Sequence, residues 1–266
     1  MSPTTRCDAG GRPQRVFITG ASSGIGAALA RHYAEAGCQL GLLGRRQAAL
    51  DALAASLPGA PCVLVADVAD AAAMRAAAER FMADCGVPDI VIANAGVSVG
   101  TLTEHAEDSA AFARVLQTNV LGVVHTFAPF LPAMRAGEGG TLVGIASVAG
   151  VRGLPGAGAY SASKAAVRRY LESLRVELHG SAIKVVTLSP GYIATPMTAI
   201  NPYPMPFLLD ADVAAARMAR VIAAGRRHAV VPWQMGLVAR LLAVLPDALY
   251  DRLFARAGRK PRGLPL

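Results

Sequence analysis

The chain has 266 residues, of which 53% are hydrophobic and only 17% charged. That is enough apolar material for one large core, and α/β domains of this length fold as single units. The net charge of +8 raises nucleic acid as a partner, but Arg252, Arg256, Arg259, Lys260 and Arg262 crowd together near the C-terminus. No basic stripe with interleaved aromatics occurs elsewhere, which argues against it.

Cys7, Cys38, Cys62 and Cys85 form no CxxC pair, and no His stands at metal-ligand spacing from them. They read as free thiols of a reducing cytoplasm, with no metal site. The first fourteen residues lack an apolar run and are expected to be a disordered leader rather than a signal peptide.

From there short apolar runs alternate with longer helical patterns. Strands are predicted at 15–19, 39–43, 62–66, 90–93, 140–146, 183–188 and 228–231. Helices are predicted near 24–36, 46–57, 70–85, 109–135, 158–179 and 211–224. The expected fold class is α/β: a doubly wound parallel sheet of about seven strands with helices on both faces, spanning 15–231 as one domain. Residues 192–210 break the rhythm with four prolines beside Met197, Met205, Phe207 and Leu208, and read as an apolar lid without regular helix. Residues 232–266 read as a C-terminal helical extension in two parts around Pro246, ending in a basic tail.

Directly after the first strand comes Thr19-Gly20-Ala21-Ser22-Ser23-Gly24-Ile25-Gly26, running into a helix. Glycines there let the backbone turn sharply and approach a pyrophosphate that rests on the helix N-terminus. Gly20, Ser22, Ser23, Gly24, Ile25 and Gly26 are therefore candidate cofactor contacts. An NAD site usually places an acid at the end of the second strand. Here Gly44 is followed by Arg45 and Arg46, a pair suited to a 2′-phosphate, so NADP(H) is the expected cofactor. Asp67 with Val68, and Asn94-Ala95-Gly96, follow the third and fourth strands and fit the adenine and ribose side of the same crevice.

Tyr160-Ser161-Ala162-Ser163-Lys164 places Tyr and Lys four apart, on one face at the start of a helix. Alone this spacing says little. Ser147 ends a strand shortly before it, and Asn119 lies within the preceding long helix.

The set TGASSGIG at 19–26, Asp67, NAG at 94–96, Asn119, Ser147, YSASK at 160–164 and PGYIAT at 190–195 resembles the classical short-chain dehydrogenase/reductase family over about residues 14–230. The resemblance implies a Rossmann-type fold and a catalytic tetrad of Asn119, Ser147, Tyr160 and Lys164. It implies that Tyr160 gives the substrate oxygen its proton, Ser147 hydrogen-bonds that oxygen and Lys164 holds the nicotinamide ribose. Asn119 would anchor a water relay to Lys164, and Pro190, Gly191, Ile193 and Thr195 would lie along the cofactor.

An unperturbed phenol has a pKa near 10, so work near neutrality asks for about three units, or ~4 kcal/mol. One ammonium about 4 Å away supplies that order of energy at an effective dielectric near 20. Lys164 is thus expected to lower the Tyr160 pKa. The expected activity is NADP(H)-dependent interconversion of a carbonyl and a secondary or primary alcohol, with an apolar or lipid-like ketone as substrate. The alternatives are an NAD-dependent alcohol dehydrogenase, an NADP-binding sensor and a membrane-surface protein without turnover.

Where many family members close with an Asp-Gly-Gly sequence, this chain has His228-Ala229-Val230-Val231-Pro232-Trp233. A homo-oligomer is expected, with a dimer favoured over a tetramer. The extension packs on the core or a second subunit, or rests on an anionic membrane surface; its apolar runs are too short to span one.

Overall fold

The computed structural model describes residues 12–264. The strands are β1 (Arg15–Thr19), β2 (Gln39–Gly44), β3 (Cys62–Val65), β4 (Ile90–Ala93), β5 (Gly140–Ile145), β6 (Ile183–Pro190) and β7 (His228–Val231). All pair in parallel, in the order β3-β2-β1-β4-β5-β6-β7. The order reverses between β1 and β4, and the crevice at their carboxyl ends is where a ligand binds in such sheets.

Strand alternation builds two cores. Val16 and Ile18 of β1 face Leu29, Leu50 and Met218. These come from α1 (Gly24–Glu35), α2 (Gln47–Ser56) and α9 (Ala211–Ala223). Phe17 points the other way, to Phe81, Val123 and Leu171 of α3 (Ala71–Cys85), α5 (Gly122–Phe127) and α7 (Gly158–Glu177). The chain's few phenylalanines are concentrated there. Phe17 meets Phe130 and Phe81 edge-on, with ring centroids 4.8 and 5.3 Å apart. A Cβ at Gly41 in β2 would stand 2.6 Å from the Phe81 ring, so the aromatic cluster requires glycine there.

The helix expected over 109–135 is divided. α4 (Asp108–Leu116) widens into a π turn at Gln117–Leu121, followed by α5, a break, and α6 (Leu131–Ala136). The π turn carries Asn119, whose side chain is bonded to another loop, while Gly122 lies against Val68. Such turns mark places where a helix departs from its ladder to present one residue. The proline-rich 192–210 segment holds a single helical turn, α8 (Pro196–Ala199). Proline is tolerated there because it occupies the first helical position, behind a Thr195–Thr198 capping box.

The extension forms α10 (Trp233–Val244) and α11 (Asp247–Phe254) on either side of Pro246. The expected leader lies mostly outside the described residues. Its last residues are held: the Arg12 guanidinium grips Asp89 at 2.8 and 2.9 Å, and Gln39 donates to the Gln14 carbonyl at 2.8 Å. Cys62 and Cys85 are free thiols, Cys38 is buried, and Cys7 lies outside the described residues. Among the described residues no helix is long and apolar enough to cross a membrane.

Candidate active site

The turn from β1 to α1 is fixed by contacts that only glycine permits. A Cβ at Gly20 would stand 2.8 Å from the Ala95 backbone, and one at Gly26 would stand 2.2 Å from the Gly20 carbonyl. Gly20 also has φ +66°, a left-handed conformation. Asn94 braces the same turn, donating to the Thr19 and Gly20 carbonyls at 3.0 and 3.3 Å. The N-cap Ser23 makes no side-chain cap, so among the described residues the first amides of α1 are left for an anion.

A cleft of about 1230 Å³, counting its open mouth, runs along this turn. At one end stand Gly44, Arg45 and Arg46; at the other, Ser147, Tyr160, Lys164 and Met197. Between them it touches Gly20, Ser22, Ser23, Gly24, Ile25, Val68, Asn94, Ala95, Gly96, Pro190, Gly191, Ile193 and Thr195. Arg46 donates to the Ser22 hydroxyl at 3.2 Å and Arg45 lines the cleft beside it, where an acid would sit in an NAD-type site.

Three residues expected at the cofactor or catalytic site stand behind its wall. Gly26 packs α1 onto the turn. Asp67 is engaged by the Arg114 guanidinium and the Ala69 amide. Burial raises its pKa, but that amide and the Arg114 and Arg45 charges outweigh it and hold the carboxyl below its usual range. Asn119 is fully buried: its Oδ1 accepts from the Val97 amide at 2.8 Å, and its Nδ2 donates to the Val97 carbonyl and Ser163 hydroxyl, both at 3.0 Å. Val97 and Thr118 line the cleft without having been singled out in sequence. Thr118 carries a buried hydroxyl with no partner among the described residues, and its only sequence signal is its place beside Asn119.

Ser147 leaves β5 in extended conformation and accepts from the Ala149 amide at 3.1 Å, capping the short turn after it. Its hydroxyl also donates to the Pro190 carbonyl at 3.5 Å, and it stands close enough to Tyr160 to favour the ionised phenol. Lys164, 4% exposed, donates to the Ile145 carbonyl at 2.8 Å and lies 5.8 Å from the Tyr160 ring centroid. A Cβ on Gly96 would come within 3.3 Å of Asn119 Oδ1 and 3.5 Å of Lys164 Nζ, so glycine leaves that passage open.

The expectation that Lys164 lowers the Tyr160 pKa is not met. Burial pushes the phenol above its ordinary value, against the lowering effect of the nearby Ser147 hydroxyl. Burial also pulls Lys164 down to about 8, and its ammonium is turned to a backbone carbonyl. Lys260, also buried, is likewise pulled down to about 8.

The shared shift has a measurable consequence. A free lysine titrates at 10.5. Between about 8 and 10.5 the unfolded chain therefore holds more protons at these sites, and their cost to folding shrinks as pH rises. Wild type is expected to gain stability relative to Lys164→Met and Lys260→Met between about pH 8 and pH 10, read from urea midpoints. A constant gap would refute the burial of charge.

The family described as short chain dehydrogenase matches residues 14–202. An uncharacterized oxidoreductase of Myxococcus xanthus is 39% identical over 240 residues, covering 88% of this chain and 94% of that protein. The Bos taurus dehydrogenase/reductase SDR family member 7B is 34% identical over 268 residues, covering 93% and 82%. The crystal structure of a short chain dehydrogenase/reductase from Burkholderia phymatum in complex with NAD superposes with a TM-score of 0.78 at 27% identity, covering 94% and 98%. With the family's pattern spanning most of the sheet and the relatives aligned nearly end to end, the chain belongs to the short-chain dehydrogenase/reductase family of oxidoreductases.

Proposed function

We propose that this chain is an NADP(H)-dependent carbonyl reductase. One observation carries the reading: a single cleft joins Ser147, Tyr160 and Lys164 at one end to Arg45, Arg46 and no acid at the other. The free amides of α1 would hold the pyrophosphate, and Ser22, Arg45 and Arg46 the 2′-phosphate. Lys164 would bond the nicotinamide ribose hydroxyls. When bound, the reduced nicotinamide supplies the hydride.

Ser147 donates to the substrate carbonyl oxygen and fixes it beside Tyr160, which gives that oxygen its proton. Burial keeps the Tyr160 phenol protonated, the form that reduction needs. The Tyr160 phenolate left behind regains its proton from the Lys164 side of the cleft, and Asn119, by clamping Val97, shapes the wall beside the path by which solvent restores a proton to Lys164.

Val97, Met197 and the tyrosines of the 192–203 segment favour an apolar carbonyl compound. A lipid-like substrate is favoured by a membrane-resting C-terminal segment together with a Met- and Phe-bearing lid. Phe207 and Leu208, however, turn outward, 51% and 47% exposed, and lend it no support. The test is NADPH oxidation by purified protein against a series of ketones and aldehydes. Turnover of apolar members supports the reading, and tight NADPH binding without turnover of any supports the sensor alternative.

We place the protein in the cytoplasm as a homodimer. Phe112 on α4, Leu121 in the π turn and Val176 on α7 are 37%, 48% and 64% exposed, the kind of apolar surface a second copy covers. Trp233, Leu237, Leu241 and Val244 form an exposed face of α10 with Arg240, which supports peripheral contact with an anionic membrane. Light scattering and co-sedimentation with phosphatidylserine vesicles test the two. A monomer rejects the first, and no binding at low salt rejects the second.

A further inference from the structure

The basic tail is not a solvated end. After α11, residues 255–264 form neither helix nor strand, yet they clasp three loops in succession. Gly258 rests on Tyr203 so closely that a Cβ there would lie 2.7 Å from the tyrosine's own. The Arg259 side chain covers Gly156. Lys260 donates to the Met197 carbonyl of α8 at 3.1 Å. The Gly100 amide donates to the Pro261 carbonyl at 2.9 Å, and a Cβ on Gly100 would meet the Lys260 carbonyl at 2.1 Å. Arg262 ends the run on Asp108 at 2.7 Å and Glu107 at 2.9 Å.

These loops surround the catalytic end of the cleft. The 97–101 loop begins at Val97, which lines it. The 152–157 loop joins Ser147 to Tyr160 and is tied to the first by the Thr101 amide on the Gly156 carbonyl at 3.0 Å. The 197–203 segment begins at Met197 and ends at Tyr203. The ring of Tyr203 is 6.5 Å from that of Tyr192, and its phenol feels both Tyr192 and Tyr160. Arg152 fastens the same arrangement from behind. It donates to the Leu245 carbonyl at 3.1 Å and to Asp247 at 2.9 Å, and lies 4.2 Å over the Tyr250 ring.

We propose that residues 255–262 are a strap that closes the substrate site in cis and sets a length limit, so that the chain takes compact apolar or aromatic ketones and rejects long-chain ones. The inference rests on the carbonyl-reductase reading. Tyr203 is near enough to Tyr160 for their phenols to feel one another and packs edge-on to Tyr192, and the strap pins it there. A long acyl or alkyl tail would have to pass between loops that the strap binds to one another. Rigid walls convert each surplus methylene into displaced packing rather than added contact.

The experiment compares kcat/KM for acetophenone and for 2-tridecanone. It uses the full chain, Lys260→Ala/Arg262→Ala, and a chain ending at Ala255. The full chain is expected to prefer acetophenone by about 100-fold or more, the scale on which a closed pocket rejects surplus methylenes. The double variant is expected to bring that ratio within about 10-fold. Ratios are insensitive to partial loss of folded protein, and the double variant carries the test should the truncated chain not fold. Calorimetric affinities of the two ketones for the NADP-loaded Tyr160→Phe chain, with and without the strap variants, give the same ratio without turnover. A full chain that accepts both ketones equally overturns the strap proposal while leaving the reductase reading intact. So does a ratio unmoved by the variants. Binding of neither ketone and no turnover by any chain overturns both.

Discussion

Tyr160→Phe is expected to lower kcat by about 10²–10⁴, the usual worth of a positioned general acid, with the NADPH dissociation constant nearly unchanged. The substitution removes one oxygen from a side chain whose ring stays packed beside Lys164, so the cofactor end of the cleft is left as it was. What is lost is the proton for the substrate oxygen; Ser147 keeps its contacts to the Ala149 amide and the Pro190 carbonyl. Ser147→Ala leaves the phenol in place and removes only its partner, and should cost less. A Tyr160→Phe chain that still turned over ketones at the wild-type rate would remove Tyr160 from the chemistry and leave Ser147 or water as the donor. The raised phenol pKa sharpens the expectation. A proton held this firmly suits reduction, and the reverse reaction, which needs the phenolate, should be favoured only toward alkaline pH.

Much of this architecture is legible in the chain itself because its signals are local. The strand-glycine-helix turn is written in eight consecutive residues, and Tyr160 with Lys164 share a face by spacing alone. β1, β4 and β7 fall on the expected residues because short apolar runs end at turn residues. The failures lie where distant segments decide. Nothing within residues 109–135 announces that Asn119 will bond Val97 and widen its helix into a π turn. Asp67 follows β3 as expected, but nothing local announces that Arg114, on α4, will engage it. The basic tail read as surface charge because its acidic partners, Glu107 and Asp108, lie about 150 positions earlier in the chain. The phenol's pKa went the other way for a similar reason. Coulomb attraction can be read from a spacing of four, whereas burial is a property of the whole assembled cleft.

Cofactor choice is the second large expected effect. In Arg45→Ala/Arg46→Ala, NADPH affinity is expected to fall by about 10²–10³. Each charge-assisted hydrogen bond to the 2′-phosphate is worth about 1.5–3 kcal/mol, and losses at neighbouring sites do not add fully. NADH affinity should change little, since the ribose hydroxyl has no charge for the arginines to meet. Adding Gly44→Asp should then favour NADH. A Cβ at Gly44 meets nothing nearer than the Ser22 hydroxyl at 3.5 Å, so the position accepts a side chain without moving the turn. A carboxylate there accepts from the ribose hydroxyls and repels a 2′-phosphate, which supplies both the attraction and the rejection that specificity requires. Dissociation constants for both nucleotides, read by protein fluorescence, decide it. Equal losses for NADPH and NADH would mean that the arginines only brace Ser22 and the glycine turn. A selective loss of NADPH would assign them to the phosphate, because no other group distinguishes the two nucleotides.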